Sequence, residues 1–227
     1  MKKDFDLELR SAVETLLKRV SESIILPYFR NLTNNDIKSK SEPSDLVTIA
    51  DEMTEVFLAE QLTRLIPSCQ VIGEEAVYHQ ASIMQKLSDT GFVWLIDPID
   101  GTANYVKGHP DFAIAIALLS SGRTVMGWIH RPIAGTTIWS ARNRGSWFGQ
   151  EKLSINTHNT SNSDRSIRGT HYHQGFINSS DRPYDTVQRT GSAACEYLRL
   201  ATNEIQYTTF SRLKPWDHAA GILIHEE

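Results

Sequence analysis

"WLIDPIDGTANY", Trp94 to Tyr105, is the stretch on which the reading of this chain turns. With Phe92 and Val93 in front of it, the segment opens as an apolar run of strand-forming residues, the pattern of a buried β-strand. The run ends in Asp97 and Asp100, which flank Pro98 and Ile99, and Gly101 and Thr102 follow directly. A turn of solvated acids gives no reason for an apolar strand to lead into them. Pro98 fixes φ and stiffens the turn, so that both carboxylates come round to one side of it. The Ile99 carbonyl is left free as a further oxygen ligand. Gly101 lets the backbone approach an anion, and Thr102 can open a helix whose N–H groups face phosphate.

Further acids stand at the boundaries of other elements. Asp51 lies near the start of a helix, Glu74 and Glu75 follow the strand in "CQVIGEE", and Asp217 opens a last helix. Carboxylates converging at strand ends repel one another unless a cation lies between them. Hard oxygen donors suit Mg²⁺, held by a few carboxylates together with phosphate oxygens, and a pair of such ions promotes in-line displacement at phosphorus. Each residue also has a plainer reading. Thr48 to Asp51 is a capping-box pattern, and Asp217 is a first-turn acid that favours the helix dipole. Glu75 supports its loop, Trp216 packs in the core, and His218 points away from the acids. Lys40 is either a solvated charge or a neighbour of metal or phosphate. His171 and His173 share a strand face but make a weak metal signal, and are read as surface or loop residues.

The rest of the chain sets the frame. Its 227 residues are enough for a substantial core, and 40% hydrophobic with 22% charged residues is ordinary for a globular protein. A net charge of −4 gives no basic footprint for nucleic acid. "MKKDFDLELR" has no apolar core of a secretory signal, and "FAIAIALL" at 112–119 is too short to span a bilayer. Cys69 and Cys195 read as buried thiols of a reducing compartment, so a cytoplasmic protein is expected. Helical spacing of Leu9, Val13, Leu16, Leu17, Val20 and Ile24 predicts a helix over about 4–29. Residues 31–45 read as a mobile loop that can serve as a lid. A second helix is expected over about 48–66, with Ile49, Met53, Val56, Phe57 and Leu65 on its apolar side. Residues 112–149 read as an antiparallel meander. Residues 151–185 are polar, "GSAACEYLRLAT" is a helix candidate and "EIQYTTF" a weak strand. The class is α/β, or α+β, in layers.

"GEE" (73–75), "WLIDPIDGTANY" (94–105) and "PWDHAAG" (215–221) together resemble the signatures of the inositol monophosphatase family, in the family's order. "KSEPSDLVTIAD" (40–51) resembles its N-terminal motif and "GSAACEYLRLAT" its second-half helix, so the resemblance covers nearly the whole chain. The "LKPWDHAAG" form is similar to the bacterial extragenic-suppressor-type branch. The resemblance implies an αβαβα sandwich of the inositol monophosphatase and fructose-1,6-bisphosphatase type. It implies one domain over 1–227, with an α+β half at about 1–150 and an α/β half at about 151–227. The C-terminal end would be incomplete, because family members continue past "GILIHEE". It further implies two or three Mg²⁺ ions, with Glu74, Asp97, the Ile99 carbonyl, Asp100 and Asp217 as ligands. Asp51 and Thr102, with Glu74, would be catalytic, orienting and deprotonating the attacking water. The Gly101 and Thr102 amides would hold phosphate, and Asp100, Asp217, Ser192 and Ala193 would meet the rest of the substrate. The implied reaction is hydrolysis of a polyol or sugar phosphate by a metal-activated water, inositol monophosphate first among the substrates. Fructose 1,6-bisphosphate, histidinol phosphate and adenosine 3′,5′-bisphosphate are the alternatives, and a regulatory macromolecule-binding protein on the same fold is the alternative of another class. Lithium sensitivity and a homodimer are also implied. Phe210 stands where inositol-cleaving members carry a glutamate that contacts substrate hydroxyls.

Overall fold

A computed structural model describes residues 3–40, 42–43, 45–154, 167–170 and 184–227. The helix expected over 4–29 forms as α1 (Lys3–Val20), a π-helical turn at Ser21–Ile25, and a short α2 (Leu26–Tyr28). The expected loop over 31–45 is in part ordered secondary structure. After a 3₁₀ turn at Asn34–Asp36, β1 (Ile37–Ser39) pairs antiparallel with β2 (Leu46–Thr48). The short strands alternate too briefly for a period to show in the sequence.

Helix α3 (Ile49–Leu65) corrects a second expectation. Met53 and Val56 are exposed, while Ala50, Asp51, Thr54, Glu55, Leu58 and Leu62 form the buried stripe. The helical period is present, and Phe57 and Leu65 pack partly buried against the core as expected, but acids and a threonine occupy the N-terminal half of the buried stripe, so Met53 and Val56 fall outside it.

Next come β3 (Gln70–Gly73), α4 (Glu74–His79), a 3₁₀ stretch at Ala81–Ser88, and β4 (Phe92–Asp100). After α5 (Thr102–Val106) the meander runs as expected through β5 (Ala113–Ser120), β6 (Arg123–Arg131), β7 (Thr136–Ala141) and β8 (Gly145–Phe148), and adds β9 (Glu151–Lys152). These strands form one seven-stranded sheet in the order β3-β4-β5-β6-β7-β8-β9. β3 and β4 are parallel and every later pair is antiparallel.

Beyond it lie β10 (Ile167–Thr170), β11 (Tyr184–Thr186), α6 (Ala193–Ala201), β12 (Tyr207–Thr208) and α7 (Pro215–Glu226). The last three meet the expected helix, weak strand and final helix. β10, β11 and β12 make a small parallel sheet, order β11-β10-β12. His171, His173 and the polar run "NTHNTSNSDRS" lie outside the described residues.

The two faces of the large sheet differ in side-chain size. Along β5, Ile114, Ile116 and Leu118 face α1 and α3, with Trp94, Ile96 and Trp128 beside them. Burying side chains of this size contributes about 1.5–3 kcal/mol each. Ala113, Ala115 and Ala117 face the other way, toward α6 and α7. Gly127, paired with Ala117, completes this low surface: a Cβ there would lie 2.9 Å from Ala220 Cα, so α7 rests almost directly on backbone. Thr170 of β10 donates to Glu196 of α6 at 3.1 Å, tying the small sheet to the far side of that helix. Among the described residues the layers therefore run α, β, α, β, a mixed layered α/β arrangement as expected.

Candidate active site

The carboxyl ends of β3 and β4 lie side by side because the two strands are parallel, with Gly73 opposite Ile96. Asp97 pairs with Ala115 but Asp100 pairs with Ala113, so β4 carries one residue more than its partner over this interval. That is a β-bulge, the position in a sheet that tolerates a proline without an N–H. Pro98 sits within it, and the bulge carries the chain from buried Asp97 to half-buried Asp100. Gly101 follows at φ +95°, where a Cβ would meet Asp111 O and Ser192 Cβ, both at 3.0 Å. Only glycine fits this left-handed approach, and α5 begins at the next residue.

Oxygens of Glu74, Asp97 and Asp217 gather within 4.8 Å of one another. Asp97 is 1% exposed and its Oδ1 has no hydrogen-bond partner. Burial, and then the charges of Glu74, Asp100, Asp217 and Asp51, push its carboxyl well above the ordinary aspartate range. Burial and Asp100 push Asp217 up to about 8. An orphaned buried carboxylate oxygen facing further carboxylates fits a divalent cation with oxygen ligands. Asp100 borders the same cavity, of about 440 Å³. Its Oδ2 accepts from Ser192 Oγ at 2.5 Å and Ala194 N at 2.6 Å, fixing the acid against the start of α6. Burial still pushes it up to about 6. The Ile99 carbonyl also lines the cavity region and accepts from Thr102 Oγ1 at 3.0 Å, so it is not wholly free.

The capping-box reading of Asp51 holds, and its second oxygen turns toward the start of α5. Its Oδ2 accepts from Thr48 N at 2.8 Å and Thr48 Oγ1 at 2.5 Å, completing the capping box of α3. Its other oxygen accepts from Thr102 Oγ1 at 3.2 Å. Burial pushes Asp51 up to about 7, with the Thr48 hydrogen bonds opposing. Glu75 is buried in the first turn of α4, its carboxylate bound by Lys40, and His218 points away, meeting Tyr197 Oη at 3.1 Å and Arg212 O at 2.8 Å. Trp216 is buried at the head of α7.

Three residues matter more than their sequence context indicates. Lys40 is not solvated: its side chain is 3% exposed, and Nζ lies 2.7 Å from both Glu74 Oε1 and Glu75 Oε1. Burial works against its charge, but the two carboxylates outweigh that and hold its pKa above the usual lysine range. Glu55 accepts from Glu75 N at 2.7 Å and Ala76 N at 2.8 Å, capping α4 from α3. This seat explains the glycine of "GEE", since a Cβ on Gly73 would lie 2.1 Å from the Glu55 carboxyl carbon. Gly73→Ala forces Glu55 off both amides, an expected loss of about 1–3 kcal/mol in urea unfolding; wild-type stability in that variant would show the seat to be dispensable. The signal for Glu55 was its i+4 spacing from Asp51. Asn104 donates to Asp111 O at 2.6 Å and Thr190 O at 2.7 Å, anchoring the segment that delivers Ser192. Nothing in its local pattern marks it.

An acid-lined, cation-fitting cavity at the carboxyl edge of a layered α/β fold defines the class. The model of the inositol monophosphatase family matches residues 6–227, and the chain belongs to that family of metal-dependent phosphatases. The inositol-1-monophosphatase of Bacillus subtilis is 30% identical over 198 residues, covering 84% of this chain and 73% of its own length. The Nus factor SuhB of Haemophilus influenzae is 31% identical over 198 residues, covering 81% and 70%. The solved structure of a Thermotoga maritima IMPase superposes with a TM-score of 0.80 at 23% identity, covering 96% of this chain and 82% of its own, a likeness of fold. The protein is a phosphatase for a phosphorylated small molecule. Among the described residues no helix is long and apolar enough to cross a membrane.

Proposed function

We propose that the chain hydrolyses phosphate monoesters of polyols or sugars, inositol monophosphate among them, with Mg²⁺ as the cation. The observation that carries this reading is the gathering of Glu74, Asp97 and Asp217 beside the Thr102–Asp51 pair. Two or three Mg²⁺ ions would be held by Glu74, Asp97, Asp217, one oxygen of Asp100 and the Ile99 carbonyl; when bound they supply a hard Lewis acid that activates water and offsets charge on phosphate.

The chain's own groups do the positioning. The single hydroxyl proton of Thr102 is shared between Asp51 and the Ile99 carbonyl, which leaves the oxygen's lone pairs to accept from a water. Asp51 stands behind it as the proton acceptor, and Glu74 orients the same water from the opposite strand end. A base whose pKa lies near neutrality both takes and returns a proton effectively. The amides of Gly101 and Thr102 receive the phosphate, where the left-handed turn brings backbone close. Asp100 and Asp217 border the space left for the alcohol part, while Ser192, buried and bonded to Asp100, and its neighbour Ala193 would act from behind them. The resemblance of the motifs also supports sensitivity to Li⁺ and a cytoplasmic homodimer folded as one domain over 1–227.

A panel of phosphate esters, with Mg²⁺ titrated and Li⁺ added, tests the reading. The expected outcome is phosphate release that depends on Mg²⁺, stops with EDTA and declines with Li⁺. Release that ignores EDTA, or no release from any ester, overturns it.

A further inference from the structure

Behind Asp100 stands an acid that belongs to none of the acidic turns. Glu196, in the first turn of α6, is fully buried and does not line the cavity. Its Oε1 accepts from Thr190 N at 2.6 Å and lies 2.9 Å from Thr190 Oγ1. Its Oε2 accepts from Thr170 of β10 at 3.1 Å and lies 3.5 Å from Arg199 Nη1. A buried carboxylate is unfavourable unless donors surround it in this way, and an apolar side chain of similar volume often serves packing as well or better. Filling the space between α6 and the small sheet therefore does not by itself call for an acid.

What the carboxylate adds is a grip on residue 190. Asn104 holds the Thr190 carbonyl at 2.7 Å, Glu196 holds its N–H, and the Thr190 hydroxyl oxygen accepts from Ser192 N at 3.3 Å. The backbone is thus fixed two residues ahead of Ser192. Ser192 Oγ accepts from Cys195 N at 3.1 Å and donates to Asp100 Oδ2 at 2.5 Å. Ala194 N donates to the same Asp100 oxygen at 2.6 Å. Residues 192–194 set the plane of the Asp100 carboxyl, and Glu196 sets where those residues lie.

We infer that Glu196 is a positioning residue for the reaction: through Thr190 and Ser192 it fixes the direction in which Asp100 presents its carboxyl to the cation. The inference rests on the phosphatase reading above and adds to it a residue outside the cavity on which cation affinity depends. Glutamine has nearly the same shape, but its NH₂ group would face donors, so it cannot keep both the Thr190 and the Thr170 sides.

Calorimetric titration with Mg²⁺ alone, beside hydrogen exchange over residues 192–195, tests this. In Glu196→Gln the Mg²⁺ Kd is expected to rise about tenfold, as the loss of one charge-assisted hydrogen bond gives, and the Ala194 amide to exchange faster. Thr190→Val leaves Glu196 in place, removes the hydroxyl part of the link at a half-buried position, and is expected to raise Kd in the same direction. Thr170→Val is the control. It takes a donor from Oε2 but leaves Thr190 and Arg199 on the carboxylate, so the metal-free melting temperature is expected to fall with the Mg²⁺ Kd unchanged. An unchanged Kd in folded Glu196→Gln or, where that variant does not fold, in Thr190→Val, overturns the inference. So does an equal rise in Thr170→Val, the mark of a merely structural role. No Mg²⁺ binding by the unmodified protein instead overturns the reading of the cavity on which the inference rests.

Discussion

Asp97→Asn is expected to reduce phosphate release by on the order of 10³-fold, the scale on which a single preorganised charge contributes in such sites, and to make the metal-free protein more stable. The two effects have one cause. Asp97 is buried with an unpartnered oxygen, and its charge is opposed by Glu74, Asp100, Asp217 and Asp51. An amide of the same shape removes that repulsion and can donate to the neighbouring carboxylates, but it no longer supplies an anionic ligand. A plain structural residue would give a different result, with activity and stability falling together. Thermal melts in EDTA alongside turnover in Mg²⁺ separate the cases. Near-normal turnover would remove Asp97 from the centre of the chemistry.

The second large effect is a reversal of pH dependence by metal. In the metal-free protein, burial and mutual repulsion raise Asp97, take Asp217 and Glu75 to about 8, and take Asp51 to about 7. Their unfolded values are near 4. Between these limits the folded state binds more protons than the unfolded state, so stability falls as pH rises. The contribution is complete below about pH 4 and is lost as each folded pKa is passed, up to about pH 8. In EDTA the melting temperature is therefore expected to drop between pH 6 and pH 8. Saturating Mg²⁺ competes with those protons, and its stabilisation should be larger at pH 8. At 100 times Kd, binding contributes about 2.7 kcal/mol, which is about 5–10 °C for a chain of this size. A melting temperature in EDTA that is flat or rises over this interval contradicts the repulsion on which the site is built.

How much of this could be read without coordinates depended on the kind of interaction. The Asp97–Asp100 turn was legible because its parts are local: a strand, a proline, a glycine and a helix start within a dozen residues. The meander was legible for the same reason, since hairpin pairing joins neighbours in sequence. The capping box told the truth about Asp51 and α3, although its second oxygen, bound to Thr102, is a contact across 51 positions that no pattern records. Lys40 failed to register because a lysine in a polar stretch looks solvated until the hairpin of β1 and β2 folds it onto Glu74 and Glu75. On α3, the usual search for apolar residues pointed to Met53 and Val56 because the buried stripe carries Asp51, Thr54 and Glu55. A helix that serves a polar site must break the apolar rule on the face that matters.

The contact of Gly127 with Ala220 has a consequence for how such a protein can change over time. The depth at which α7 sits is limited where Ala220 meets Gly127, a point with no flexible side chain, and α7 brings Asp217 to the acidic floor. A drift in core volume elsewhere can be absorbed by repacking leucines and isoleucines. Here an added methyl group has nowhere to go but into the spacing of the carboxylates. Gly127 thus acts as a dimensional standard for a centre it lies apart from, while Ala113 and Ala115 of β5 pair directly with Asp100 and Asp97. The sheet face under α7 therefore does more than bury apolar surface: it holds Asp217 within reach of the acids that end β3 and β4.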